Sequence, residues 1–593
     1  MIKIIFNKNL YEFYFVFILL AVFAPKLSAV DNASLRWLLV SLVNTSFLLY
    51  ALFNKNKFYL RVSYILNTFF VLVIISAISM IQSINLNESI ISLNKQLIIL
   101  STIFCVSLFV NKKKAIQSLS FLFFISILFE STYVIYEYLI NENKNFTGVS
   151  MNRNISSFSI LVKLPFLFIY QSLNQKQNRL ISIFLEVLVI ISIILLESRA
   201  AILILTLIYF FKILFLKDKL KSIIIICFTF LTFIIYYPFS RVLQDKDIII
   251  SNIMIDESLS LRFDFFSNAI KFFIDSPLIG NGIGMWKIIS NQMQLSQVPY
   301  YVHNDFLEFL VETGVLGFVF YVLFFLSIFY LIKNKWNNYS IYILLAFLIF
   351  LIDSLINFPF HRPQQIIILA LIIAPILSSS DLKKIEFKKS YLFIAIVPLV
   401  LSTYLSFKDT KASFLENRLR VDLINNEYTI NKIELEKIDF KLPNLASNTV
   451  PFSSYIARYY LNISDYVNAD KLIDIGVKYN PYLSYTTDLK LQSLIQQNKL
   501  LQALKVAKHQ LNNTNQHELY FDIIFSISLQ LNLESEFTGI YDKILGYKDD
   551  RLIVEYFMNY KKIKGLDQTN FNKLLIQSIA KFPNNQDLLE ILN

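Results

Sequence analysis

Apolar residues run in blocks of about twenty from Tyr11 to Phe407, each closed by a short polar turn and long enough to cross a bilayer as a helix. About thirteen such blocks can be drawn, near 11–30, 34–53, 60–81, 95–110, 115–139, 155–173, 180–196, 200–216, 222–239, 306–332, 339–357, 365–379 and 391–407. Those at 95–110 and 365–379 are the shortest. Since lipid cannot satisfy open backbone groups, the pattern predicts an all-α polytopic membrane domain of about 12–13 helices over residues 1–407, with a large loop at 240–303. The first block lacks a small-residue cleavage site and reads as a retained anchor.

Beyond Lys408 the continuous apolarity gives way to helical periodicity with both signs of charge, which predicts a second, helical domain over 408–593. Ala469, in Tyr466-Val-Asn-Ala-Asp-Lys-Leu, and Ala503, in Leu500-Leu-Gln-Ala-Leu-Lys-Val, stand 34 residues apart. The same step reaches Phe537 and Phe571. A period of this length resembles tetratricopeptide repeats, which offer a concave surface to partners. A set of helical hairpins without defined repeats is the plainer reading.

Composition agrees with the membrane class: 55% of the 593 residues are hydrophobic, 16% are aromatic and 17% are charged. Lysine and arginine concentrate in alternate turns, around Lys55 to Arg61, Lys112 to Lys114, Lys212 to Lys221, Lys333 to Lys335 and Lys383 to Lys389. By the positive-inside rule these turns are cytoplasmic. The N-terminus is then inside, while the loop 240–303 and the tail are outside. The formal net charge of +12 is largely this topological signal and gives no reason to expect nucleic acid. Cys105 and Cys227 both fall in apolar blocks, so no disulfide framework or cysteine metal site is expected.

The polar residues that a membrane helix does not need fall on one predicted side. His303 opens His303-Asn304-Asp305-Phe306-Leu307-Glu308, at the mouth of the block 306–332. Arg199 lies in the turn Glu197-Ser198-Arg199. Arg262 opens an amphipathic segment with Leu261, Phe265, Ala269 and Phe272 on one side, of the kind that lies along a membrane surface. Arginines suit a diphosphate, pairing bidentately with its oxygens and staying charged. A histidine at a helix start is disfavoured as imidazolium by the helix dipole and is able to accept a proton. Asp305, Glu308 and Glu312 share a helical face and could line a polar groove. Plainer readings exist for each: a snorkelling Arg199, an Arg262 that is one polar residue of its helix, an Asn304 that only caps. The turn Gly280-Asn281-Gly282-Ile283-Gly284 follows no strand, so it reads as a tight turn and not as a nucleotide loop.

These motifs together resemble the O-antigen ligase/polymerase family. The resemblance rests on Ser198-Arg199-Ala200-Ala201, on Arg262 with Ala269 and Pro277-Leu278-Ile279-Gly280-Asn281-Gly282-Ile283-Gly284, and on His303-Asn304 leading to Glu312-Thr313-Gly314-Val315-Leu316-Gly317. Gly148 with Asn152-Arg153-Asn154 also fits, although Arg153 stands where proline is often found. The resemblance implies an inverting, metal-independent glycosyltransferase of the C type that needs no cofactor. It would use an undecaprenyl-diphosphate-linked glycan at the periplasmic face of a bacterial inner membrane. His303 would be the catalytic base and Arg199 and Arg262 would bind the diphosphate. Asn304, Asp305, Glu308, Glu312, His361 and Arg362 would stand near the substrate. The acceptor is lipid A–core in a ligase, protein in an O-oligosaccharyltransferase, and the glycan itself in a polymerase; the ligase is favoured. Outside this class stand a transporter or flippase, for which Glu130, Glu137 and Asp353 are the candidate residues, and a non-catalytic anchor for the tail.

Overall fold

Twelve of the apolar blocks form helices in the computed structural model. It describes residues 10–55, 57–110, 115–140, 147–173, 179–215, 223, 225–227, 257–293, 298–334, 339–379, 382–511, 517–547 and 549–592. The block at 222–239 and the loop segment 240–256 lie almost wholly outside the described residues. The helices are α1 (Leu10–Val22), α2 (Ala33–Phe53), α3 (Tyr64–Ser79), α4 (Leu86–Phe109), α5 (Ala115–Ile140), α6 (Arg153–Leu173), α7 (Arg179–Leu195) and α8 (Arg199–Phe215). After the loop helix α9 (Glu257–Asp275) come α10 (Asp305–Asn334), α11 (Ser340–Ile356), α12 (Pro363–Ser379) and α13 (Lys389–Asn425). Seven helices among the described residues are long and apolar enough to cross a membrane. The chain is an all-α, multi-pass membrane protein.

Three helices differ from their blocks for local reasons. α1 stops at Val22, well short of residue 30, because Pro25 disfavours helix in the residue before it. α4 starts about ten residues before its block, capped by the Asn85 side chain, which accepts from the Glu88 N–H at 3.3 Å. Its first half carries Asn94 and Gln96, polar residues that are nonetheless buried, and hydropathy passed over it. α13 runs on past Phe407 to Asn425 as one helix.

The chain divides into two compact units. The first holds residues 1–287, 299–427 and 439–443, and the second holds 288–298, 428–438 and 444–593. In the first unit, turns bond to other turns of the same predicted side. Strand β1 (Tyr59–Arg61) pairs antiparallel with β2 (Lys384–Glu386), and Lys57 meets Glu386 at 3.0 Å. At the other end of the helices, Arg36 donates to the carbonyls of Ala24 and Val149, each at 2.9 Å. There too Arg153 pairs with Glu197 at 3.0 Å, and Ser89 Oγ donates to the Ile283 carbonyl at 2.6 Å. Side chains such as Leu20, Phe70, Phe121, Leu203 and Phe329 stay exposed on the outside, as lipid-facing residues do.

Among the described residues, two ion pairs have both partners buried between helices of this unit. Lys163 of α6 pairs with Glu130 of α5, and Ser126 and Ser159 complete the group. Lys212 of α8 lies 3.6 Å from Glu186 of α7, which also accepts from Tyr209 Oη at 3.0 Å. Removing one member leaves a buried charge uncompensated. Lys163→Met is therefore expected to cost about 3–5 kcal/mol of stability, and Lys163→Met with Glu130→Leu to recover most of it. Thermal unfolding of the three proteins in detergent checks this; equal melting points for single and double variants would contradict it.

The second unit is built from antiparallel helix pairs: Phe452–Asn462 with Tyr466–Tyr479, Ser484–Gln496 with Leu500–Leu511, His517–Gln530 with Glu534–Gly546, and Asp550–Tyr560 with Gln568–Lys581, followed by Gln586–Leu592. The second helices start 34 residues apart. Ala469, Ala503, Phe537 and Phe571 each stand fourth in their helix and are buried. The last two pairs are tied by Tyr541 Oη, which donates to the Leu574 carbonyl at 2.9 Å, and by the Asp567 N–H, which donates to Glu534 at 3.1 Å.

Candidate active site at the His303 turn

The block 306–332 is not one regular helix, contrary to its unbroken apolarity. α10 breaks at Gly314, whose φ of 64° and ψ of −169° are not helical. The break frees backbone groups, and the turn Pro277–Gly284 takes them up. The N–H groups of Asn281 and Gly282 donate to the carbonyls of Val311 and Glu312 at 2.9 and 3.0 Å. In return the Val315 N–H donates to the Pro277 carbonyl at 2.9 Å. The two segments touch backbone to backbone, and Gly280 and Gly314 are the residues that allow it. A Cβ on Gly280 would collide with the Glu312 carbonyl, and one on Gly314 with the Leu278 carbonyl. The glycine turn is thus the brace of a broken helix.

That brace sets the start of α10. Asn304 caps it, accepting from the Leu307 N–H at 3.0 Å and donating to the Leu355 carbonyl at 3.1 Å. His303, just before, has a φ of 61°, a left-handed conformation that is strained for a side-chain-bearing residue and is typical of functional sites. Its ring lies 6.2 Å from Phe265 of α9, nearly parallel, and meets Phe358 edge-on at 4.9 Å. Nδ1 is buried without a hydrogen-bond partner. Burial, reinforced by the positive charges of Arg262 and Arg362, lowers the imidazole pKa to about 4 against the opposing pull of Glu308. The ring is neutral at ordinary pH and available as a base.

α9 shows the two-sidedness its pattern predicts, with Phe265 and Ala269 buried and Asp264 and Lys271 exposed. It also exposes Phe263, Ile270 and Ile274. Arg262 sits one turn before Phe265, so the face that packs the histidine also carries the cation. Arg362 follows His361 in the turn between α11 and α12. Its guanidinium lies 5.1 Å from the Phe358 ring and 5.7 Å from Tyr301, and those two rings stack at 4.3 Å.

The carboxylates of α10 are tied to neighbouring turns by hydrogen bonds. Glu308 accepts from His361 Nε2 at 2.5 Å and from the Val302 N–H at 2.9 Å, fixing residues on both sides of His303. Asp305 accepts from the Phe360 N–H at 3.2 Å, and Glu312 from the Trp286 N–H at 3.0 Å. All three are buried, and with Gln96 and His361 they line an enclosed cavity of about 20 Å³, roughly the room of one water. Glu308→Ala would orphan the buried Val302 N–H, at about 1–3 kcal/mol, and free the half-buried His361 ring. A fall in melting temperature is expected, with Glu308→Gln falling less; an unchanged value would show that these bonds do not brace the turn.

Arg199 stands apart. It is exposed at the start of α8, beside Ser198, which donates to Asn154 at 2.7 Å, and its charge is not among those that act on His303. The structure instead gathers Arg262, Arg362 and His361 at the histidine. It also brings in Tyr301 and Phe358, neither of which the motifs single out.

These elements define a class: a polytopic helical membrane protein with a neutral histidine and several arginines gathered in the turns at one end. Residues 184–322 match the family model described as O-antigen ligase, a stretch that includes Arg199, Arg262, the glycine turn, His303 and Gly314. The match points to glycosyl transfer of the O-antigen ligase/polymerase type, with a lipid-linked glycan and an acceptor as substrates. No curated protein matches the chain.

Proposed function

We propose that this protein transfers a glycan from an undecaprenyl-diphosphate carrier to an acceptor hydroxyl on lipid A–core, at the periplasmic face of a bacterial inner membrane. The observation that carries the reading is the neutral His303 beside Arg262 and Arg362, in the stretch that matches the O-antigen ligase model. His303 takes the proton of the acceptor hydroxyl as its oxygen attacks the anomeric carbon. The bond to the diphosphate breaks on the opposite face, so the anomeric configuration inverts, and the leaving diphosphate keeps the electron pair. Arg262 stabilises that charge without a metal ion. Arg199 enters this role from the family resemblance alone. The 34-residue helical pairs fit tetratricopeptide-like repeats that hold an acceptor or partner outside the membrane.

Transport is less well supported, because the carboxylates it would need are occupied. Glu130 pairs with Lys163, Glu137 accepts from the N–H groups of Thr147 and Gly148, and Asp353 accepts from Asn357 and Gln365. The test is to supply the purified protein with labelled undecaprenyl-diphosphate oligosaccharide and three separate acceptor pools: lipid A–core, candidate proteins, and the same lipid-linked glycan. Transfer to lipid A–core that vanishes in His303→Ala is the expected result. Transfer to another pool would reassign the acceptor, and no transfer to any pool by folded protein would overturn the reading.

A further inference from the structure

The small cavity beside His361 has a wall that the matched stretch does not supply. Ser92, Lys95 and Gln96 of α4 line it together with Asp305, Glu308 and Glu312 of α10, around a volume of about 20 Å³. Gln96 is 1% exposed, and neither its amide nitrogen nor its carbonyl oxygen has a hydrogen-bond partner. The three carboxylates that share the cavity are buried as well. Gln96 and these carboxylates thus face one space without bonding to each other directly.

A buried amide with both ends unpaired loses its water and gains nothing in return, whereas an apolar side chain of similar size would cost nothing in this helix. The amide makes sense when something in the cavity completes it. A single water needs a volume of about 10–15 Å³ and two to four polar partners, and both are present here. It can accept from the Gln96 amide nitrogen and donate to a carboxylate oxygen, each of which has more than one lone pair. A bound cation would leave that amide nitrogen unpaired. Nor does any group of His, Cys, Asp and Glu among the described residues have the geometry to hold a metal ion.

We infer that Gln96 is a positioning residue of the His303 site, acting through one water bound between its amide and the carboxylates of α10. For its effect on turnover the inference rests on the glycosyl-transfer reading; the water itself rests on Gln96 and the cavity. Glu308 accepts from the Val302 N–H and Asp305 from the Phe360 N–H, so the residue before His303 and the turn that carries Phe358 are both held by these carboxylates. Phe358 in turn meets the His303 ring edge-on. The water ties this assembly to α4, as the glycine turn ties α10 further along at Gly314. Without it the carboxylates lose a donor, and the ring of His303 loses its fixed place.

The direct test is a density map of the full chain in nanodiscs, at a resolution that shows buried waters. One water within hydrogen-bond distance of Gln96 and of Asp305, Glu308 or Glu312 is expected. A map that shows other buried waters and none here would overturn the inference. So would an occupant that is lost when choline replaces sodium, which would make it a cation. Transfer kinetics test the consequence. Gln96→Leu, similar in size but without the amide, is expected to lower kcat by about tenfold or more with the donor KM unchanged. Gln96→Asn keeps an amide that a water can reach and should lose much less. If Gln96 only fills space the order reverses, because asparagine leaves the larger void; that reversal, or an equal loss, would refute the positioning role. Melting curves accompany each variant, and Gln96→Met replaces the leucine variant if that one fails to fold. The two readings fail separately. If the wild type holds the water and transfers to no acceptor pool, the glycosyl-transfer reading fails and the bridge stands; if it transfers and the water is missing, the bridge alone fails.

Discussion

His303→Ala is expected to lower transfer by about 10²–10⁴-fold, the range that a positioned general base contributes, while leaving donor binding nearly unchanged. The ring packs on Phe265 and Phe358 while Asn304 caps the helix, so its loss removes the proposed base without unmaking the turn. The pH profile is the sharper readout. A free histidine is half protonated near 6.5, whereas His303 is held neutral down to about 4. The wild-type kcat/KM should therefore stay flat as pH falls from 7 to about 5, with its acid limb centred near 4. Arg262→Gln removes one of the charges that disfavour the imidazolium, so its limb should move to higher pH. The same shift has a stability sign. Between 6.5 and 4 the unfolded chain binds a proton that the folded chain refuses, so the contribution of this group is full above 6.5 and is lost as pH falls to 4. An acid limb at 6.5 in the wild type, unmoved in Arg262→Gln, would show that the buried environment does not govern the base.

Gly280→Ala and Gly314→Ala are each expected to destabilise the protein by about 1–3 kcal/mol from backbone strain alone, with steric displacement added. Gly314 occupies a region of φ and ψ that is essentially restricted to glycine, and its missing Cβ faces the Leu278 carbonyl. The missing Cβ of Gly280 faces the Glu312 carbonyl. Either methyl group pushes the two segments apart and breaks the exchange of backbone bonds that seats the start of α10. Transfer should fall along with stability, because Asn304 and His303 follow that seat. Gly539→Ala is the control: it lies in the interior of the helix Glu534–Gly546, with open space where the Cβ would go. There alanine should be neutral or stabilising by up to about 1 kcal/mol. Melting curves of the three variants measure the contrast, and equal effects would deny the glycine brace.

Local periodicity carried most of the architecture. Blocks of apolar residues marked helices because a bilayer allows little else, and the loss of that continuity marked where the helical pairs of the tail begin to be read. The 34-residue step from Ala469 to Phe571 fell on equivalent positions of successive helices because one helical hairpin repeats its own length. The buried face of α9 was legible for the same reason, since Leu261, Phe265, Ala269 and Phe272 recur at helical spacing. His303 and Arg262 were recognisable as polar residues that a membrane helix does not need.

What tertiary structure alone decided lies in contacts between distant turns. No local pattern says that an apolar run breaks at Gly314, because the break is offset by carbonyl and N–H groups of a turn thirty or more residues earlier. The spacing of Asp305, Glu308 and Glu312 showed a shared face, but not that His361 and backbone N–H groups from other turns would occupy it. Arg199 and Arg262 looked equivalent in sequence; only packing set one beside the histidine and left the other exposed. Arg36 and Val149 stand more than a hundred residues apart, and the bond between them exists only once their turns meet. Periodicity is a property of a segment and can be read from it, whereas the partner of a buried charge is a property of the closed fold.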